Sequence, residues 1–191
     1  MSKGRLEAFS DGVIAILITI MVLELKVPEG ADGAALRPLI PVFLTYVLSF
    51  VFLGIYWNNH HHMLHAAHRI NGKILWANLH LLFWLSLVPF VTGWMGANHF
   101  APVPTAVYGG VLLMAAVAFT ILKNLLVAAH GPGSTLAAAL ADDAKGKLSL
   151  AAYVAAIPLA FVNQWISDAL YVAVALLWLV PDRRLETRLD R

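Results

Sequence analysis

Residues 5–23, RLEAFSDGVIAILITIMVL, set a basic residue and a Phe9-Ser10-Asp11-Gly12 cluster directly before a long apolar run that only Thr19 interrupts. A helix of about 20 such residues crosses a hydrocarbon layer roughly 30 Å thick. The rest of the 191-residue chain repeats the theme: 60% of residues are hydrophobic, 13% are charged and the mean hydropathy is +0.76. Apolar blocks alternate with short polar joints, which predicts an all-α integral membrane protein rather than a soluble domain with a large core. An acid at the mouth of an apolar block is costly unless it is paired or wet. Asp11 is therefore either a cap or interfacial anchor, or part of a hydrated path, and the residue types leave both open.

Working outward from this stretch, helix 1 is expected over Glu7 to about Leu25, ending before Pro28. The apolar start of the chain lacks a small-residue cleavage pattern, so helix 1 is expected to be permanent rather than a signal peptide. A Gly-containing joint follows, and Pro38 and Pro41 bracket entry to a second apolar block, Val42 to Asn58. The polar stretch NNHHHMLHAAHRINGK runs from Asn58 to Lys73. Helix 3 is expected over Ile74 to Met95, with a bend near Pro89. Helix 4 is expected over Thr105 to Ala129, with a small-residue face at Gly109, Gly110 and Ala116. Helices 5 and 6, Leu150 to Gln164 and Ile166 to Val180, are short for a full crossing and are separated by Asn163, Gln164 and Asp168. The whole chain, 1–191, reads as one membrane domain with a short charged tail at 182–191.

Charge distribution tests the count. With six transmembrane helices, one side of the membrane carries Lys3, Arg5, Arg69, Lys73, Lys123, Lys145, Lys147, Arg183, Arg184, Arg188 and Arg191. That is 11 of the 13 basic residues, leaving only Lys26 and Arg37 opposite. Basic joints stay in the cytoplasm, so both termini are expected there. An odd number of spans would spoil the bias.

Within helix 1, Ile16, Ile20 and Leu23 follow i, i+4, i+7 spacing, with Thr19 beside them. Several copies around an axis would form a hydrophobic neck that resists wetting, with threonine oxygens facing a partly dehydrated cation. The same spacing also describes ordinary lipid or core contacts. His61, His65 and His68 are expected on one helical face with His62 near it, alongside His60. Imidazoles at this spacing bind zinc, yet no H-E-x-x-H occurs and no acid lies between Asp32 and Asp142. Solvated or hydrogen-bonded histidines, or a pH-sensitive interfacial patch, fit the sequence better. Asn78 and His80 are carried toward the membrane by helix 3, where polar groups face protein or a cavity; a contact with the Ser10–Asp11 region is expected. Glu24 and Lys26 suit interfacial pairing or a charged vestibule.

Enzyme classes find little support. The chain has no phosphate-binding loop, dinucleotide fingerprint, nucleophile elbow or paired-carboxylate motif. It also has no cysteine, so disulfides and thiolate metal sites are excluded. The charged tail lacks aromatics and mixes in Glu186 and Asp190, which suits anionic lipid better than nucleic acid.

The R-L-E-A-F-S-D-G-V-I-A-I-x-I-T pattern from Arg5 to Thr19 resembles the TMEM175-type potassium channel family in its short prokaryotic form, and the similarity extends over the six-helix chain. The resemblance implies a homotetramer in the cell's inner (plasma) membrane that passes K⁺ in preference to Na⁺, with helix 1 lining the pore and no cofactor. It implies that Ile16, Ile20 and Leu23 form the apolar constriction and that Thr19 contributes to selectivity. Arg5, Phe9, Ser10 and Asp11 would form a network packing helix 1 on its neighbours, with Asn78 and His80 as polar support. The rival reading is a proton- or cation-coupled secondary transporter, with Asp11 and His80 as titrating groups and the prolines of helices 3 and 5 as bending points.

Overall fold

The computed structural model describes residues 3–131, 133–140 and 143–179. Helix α1, Lys3–Met21, continues into a 3-10 turn at Val22–Glu24, and a second 3-10 segment, Gly33–Leu39, leads into α2, Ile40–Ala66. Then come α3 (Gly72–Ser86), α4 (Val88–Ala97), α5 (Pro102–His130), the short α6 (Thr135–Leu140), α7 (Ala144–Leu159) and α8 (Gln164–Leu179). The charged segment 182–191, with Arg183, Arg184, Arg188 and Arg191, lies outside the described residues.

Local chemistry explains the boundaries. Asn71 and Asp143 begin α3 and α7 by accepting the backbone N–H of Ile74 at 3.0 Å and of Gly146 at 3.1 Å, satisfying donors left over in a first turn. Pro89 has no N–H to continue the helical ladder, and the single helix expected over Ile74 to Met95 is broken at Leu87 into α3 and α4. Gly131 ends α5 with φ +85°, a conformation that glycine adopts without steric cost.

Two expected boundaries are corrected. α2 does not stop at Asn58 but carries on through the histidines to Ala66. The reason is that histidine interrupts no helical hydrogen bond, and His60, Met63 and Leu64 continue the buried face. α7 begins at Ala144 rather than Leu150, because Asp143 caps it within a joint whose composition reads as loop.

Among the described residues, four stretches are long and apolar enough to cross a membrane: Lys3–Glu24, Gly33–Ala66, Gly72–Ala97 and Pro102–His130. α7 and α8 have 16 residues each, about 24 Å at 1.5 Å per residue, against a layer of roughly 30 Å.

α1 packs on α2, α3 and α4; α5 joins α3, α4, α7 and α8; and α2 also meets α4 and α8. Ile14, Leu53, Leu81 and Leu112 are fully buried at the centre. Two glycines set the close approaches. A Cβ at Gly96 would stand 2.7 Å from the Val42 Cα, and one at Gly109 would stand 2.1 Å from the Tyr171 hydroxyl. Small residues let helices and rings meet at such distances, which is how packing is gained where water gives no hydrophobic drive. Near that crossing the Thr92 and Ser49 hydroxyls bond at 2.6 Å, Ser49 and Tyr108 bond at 2.9 Å, and Tyr171 donates to the Thr105 carbonyl at 3.0 Å. Four helices, α2, α4, α5 and α8, are thus joined by buried hydroxyls with partners.

Candidate functional site

α1 has two sharply different faces. Leu6, Ser10, Ile14, Leu17 and Met21 are buried against the bundle. Arg5, Ala8, Phe9, Gly12, Ala15, Ile16, Thr19, Ile20 and Leu23 are all exposed on the protomer. Their spacing of three and four places them on one continuous stripe running the length of the helix. Ile16, Ile20 and Leu23 are 59%, 41% and 75% exposed, so the apolar residues expected at a constriction are surplus to the protomer's own core. In the middle of the stripe the Thr19 hydroxyl has its donor directed back to the helix, 2.9 Å from the Ile16 carbonyl and 3.1 Å from that of Ala15. Its one proton is used inward, so the oxygen lone pairs are what it offers outward.

The buried face is fixed by a polar chain. Ser10 donates to the Leu6 carbonyl at 2.9 Å, which spends its only proton. Its oxygen must then accept, and Asn78 donates to it at 2.9 Å. The Asn78 carbonyl, 2.7 Å from His60 Nε2, accepts in turn from that ring. Every acceptor and donor role in this chain follows from the first one. Ser10, Asn78 and His60 are all buried, so α1, α2 and α3 are locked in register by groups that water does not reach. Trp57 Nε1 donates to Asp11 Oδ1 at 3.0 Å, and Lys3 donates to the His65 carbonyl at 2.6 Å, adding two more ties between α1 and α2.

These contacts bring Asn78 to Ser10, while Asp11 is tied separately to Trp57. Arg5 and Phe9, expected in the same packing network, lie instead on the exposed stripe. His80 does not reach Ser10 or Asp11, because Trp84 one turn along its own helix donates to its Nε2 at 2.9 Å. The pair Asp11 and His80, on which a coupled transporter would depend, is thus divided between two different tryptophans. His60 is the member of the histidine run that matters for this site, and its position in register with the buried Met63, Leu64 and Ala67 is the signal for it. The expected histidine face is also shorter than the sequence implies. His61 and His65 stack with ring centres 6.0 Å apart, but His68 falls beyond the end of α2. Its backbone N–H donates to His130 Nε2 at 2.8 Å. Among the described residues no group of three or more His, Cys, Asp or Glu side chains is arranged to hold a metal. At the far end of α1, Glu24 folds its carboxylate against Gly93 of α4, on the bundle side rather than on the stripe.

The family model described as "Endosomal/lysosomal potassium channel TMEM175" matches residues 5–89, which hold α1 from its third residue on, α2, α3 and the Ser10–Asn78–His60 hydrogen bonds among them. A potassium channel of Chryseobacterium sp. (strain P1-3) is 54% identical over 189 residues, covering 99% of this chain and 98% of that one. The chain belongs to the TMEM175 family. A crystal structure of a lysosomal potassium-selective channel TMEM175 homolog from Chamaesiphon minutus superposes with a TM-score of 0.82 at 29% identity, covering 93% of this chain and 96% of the other. The human endosomal/lysosomal proton channel TMEM175 is 38% identical over 96 residues, which are 44% of this chain and 19% of the human protein. The TMEM175 similarity therefore extends over both termini of the bundle in the bacterial proteins, and over a shorter part of the chain in the human one. The fold is an all-α, multi-pass membrane bundle of this family, and its chemistry is that of a channel rather than an enzyme.

Proposed function

We propose that the chain is a potassium-selective channel in which K⁺ passes down its electrochemical gradient through a homotetrameric pore lined by α1. The observation that carries this reading is the continuous exposed stripe on α1. A helix held to its bundle by buried hydrogen bonds keeps its opposite, largely apolar face free for an axis shared with other copies. Ile16, Ile20 and Leu23 then form a hydrophobic neck that ions cross only when it widens or hydrates. Thr19 presents its oxygen to the dehydrating ion, and Ser10, Asp11 and Asn78 hold the helix at the correct rotation. The bacterial relatives from Chryseobacterium, Streptomyces collinus and Chamaesiphon minutus are potassium channels, which supports K⁺ as the permeant ion.

In this reading the chain is a single domain of six spans. α3 and α4 form one broken crossing, while α7 and α8 complete the fifth and sixth with help from their polar ends. Both termini face the cytoplasm of a cell whose inner (plasma) membrane holds the tetramer, and the tail at 182–191 lies on that side. The test is reconstitution into liposomes with K⁺ and Na⁺ efflux measured separately. Passive K⁺ efflux exceeding Na⁺ efflux, unchanged by removing any coupling ion, is the expected result. Flux that saturates and requires a second ion would overturn it in favour of a transporter.

A further inference from the structure

Residues of α2, α5, α7 and α8 enclose a notch of about 60 Å³, several times the roughly 10–15 Å³ needed for one water. Tyr56 of α2 and Tyr153 of α7 both line it, and they differ from Tyr108 and Tyr171 nearby. The Tyr108 hydroxyl bonds Ser49 at 2.9 Å, and that of Tyr171 donates to the Thr105 carbonyl at 3.0 Å. Among the described residues the hydroxyls of Tyr56 and Tyr153 have no hydrogen-bond partner, although Tyr153 is only 3% exposed. Neither oxygen is sealed inside protein, so both open on the notch. A deep hydroxyl without a partner is rare and costly. Two of them on one cavity point to a guest that accepts from them.

The other polar groups of the lining have the opposite character. The Thr120 proton goes to the Ala116 carbonyl at 2.9 Å and that of Ser149 to the Lys145 carbonyl at 2.8 Å. Asn59 donates to the Ile55 carbonyl at 2.8 Å, which leaves its amide oxygen uncommitted among the described residues. Thr120 and Asn59 thus offer lone pairs. Asp143 is the charged member of the described lining, and Lys123 and the Gly146 N–H engage its two oxygens. An anionic head would meet that carboxylate with no lining cation to offset it. A cationic head would have to displace Lys123. An uncharged head avoids both costs. The apolar end is ring-walled: Phe52 packs on Tyr153 with ring centres 6.3 Å apart, and Phe119 lies edge-on to Tyr56 at 6.0 Å.

We infer that this notch binds one monoacylglycerol. Its free hydroxyls donate to Asn59 and Thr120, its ester carbonyl accepts from Tyr56 and Tyr153, and its chain lies against Phe52 and Phe119. Such a molecule carries donors, acceptors and an apolar chain without charge, and so matches each part of the lining in turn. Tyr56 stands one helical turn from Asn59, and Phe52 one turn further, which is the order of hydroxyl, ester and chain in the ligand. The notch and its hydrogen bonding are independent of the pore proposed above.

The experiment titrates the full-length protein in detergent with monooleoylglycerol and reads binding by native mass spectrometry. Oleate and oleylamine serve as comparators with the same chain and a charged head. The wild type is expected to saturate at one monooleoylglycerol per chain and to bind both comparators more weakly. Replacing Tyr56→Phe and Tyr153→Phe together removes two hydroxyls, keeps both rings, and is expected to weaken binding about tenfold. Ala116→Phe fills the notch and is expected to abolish the saturable binding. Undiminished binding in the double variant would overturn the proposal, and so would saturable binding by a folded Ala116→Phe. If the double variant does not fold, Tyr56→Phe alone decides, with a loss of about threefold expected and an unchanged affinity refuting. Oleate or oleylamine binding as tightly as the glyceride would overturn the uncharged assignment. No saturable binding to the wild type would show a notch that holds water alone, and would overturn the proposal too. Binding is read without any ion flux, so failure of conduction and failure of this site are distinguishable.

Discussion

Replacing Ile16 with Asn separates a pore-facing stripe from a merely greasy one. Ile16 is 59% exposed on the protomer and Ile14, two residues earlier, is 0% exposed. Full removal of an isoleucine side chain from water is worth roughly 1.5–3 kcal/mol, so the uncovered part of Ile16 corresponds to about 1–2 kcal/mol per subunit. In a neck closed by dewetting, that term opposes wetting in every copy. Loss of one subunit's share, about 1.4 kcal/mol, already corresponds to about tenfold in rate. Ile16→Asn is expected to raise K⁺ efflux from liposomes by about tenfold or more, with little change in the thermal midpoint, since the side chain contributes little to the core. Two controls make this decisive. Val154→Asn alters a residue on α7 that is 58% exposed and is expected to leave flux alone. Ile14→Asn places a polar amide in the core and is expected to destabilise by several kcal/mol, about 2–5 from the lost packing alone. Equal flux changes in Ile16→Asn and Val154→Asn, or a stability loss in Ile16→Asn like that of Ile14→Asn, would refute the reasoning.

Three further outcomes follow from the same geometry. Thr19→Val keeps the shape but removes the outward oxygen, so separate K⁺ and Na⁺ efflux should show a reduced K⁺ preference with the fold intact. Asn78→Ala strands the buried Ser10 oxygen and His60 Nε2 together, and a loss of roughly 1–3 kcal/mol per orphaned group should appear in chemical denaturation. Asn78→Asp is expected to be damaging too, because a carboxylate cannot donate to Ser10. Lys123→Met or Asp143→Asn alone leaves an uncompensated, largely buried charge or its partner and should cost more than the double replacement, giving a coupling of about 1–3 kcal/mol in a double-mutant cycle.

The sequence disclosed the elements whose signal is periodic. Ile16, Ile20 and Leu23 recur at helical spacing, and the structure leaves that stripe free because the opposite stripe, Leu6 to Met21, fills the core. Pro89 likewise marks the break between α3 and α4, since a missing N–H is a local fact. What stayed hidden depends on tertiary competition. His80 was as plausible a partner for Ser10 as Asn78, until Trp84 took its ring nitrogen from one turn away. His60 is chemically identical to its neighbours His61 and His62 and differs only in helical phase. α7 begins within a Gly-, Ala- and Asp-rich joint because Asp143 caps it while engaging Lys123, a residue 20 positions earlier. The assembly around α1 is encoded only as an apolar surface that the protomer's own core leaves uncovered.

The central claim is most directly tested by thiol accessibility at Leu23, since the chain contains no cysteine to confuse the result. With Leu23→Cys and, for comparison, Val154→Cys in reconstituted protein, a charged, membrane-impermeant thiol reagent should modify Cys at 23 and abolish K⁺ efflux, leaving the 154 variant conducting. A Leu23→Cys protein that the reagent cannot reach from water, or that conducts unchanged once fully modified, would contradict a pore lined by α1.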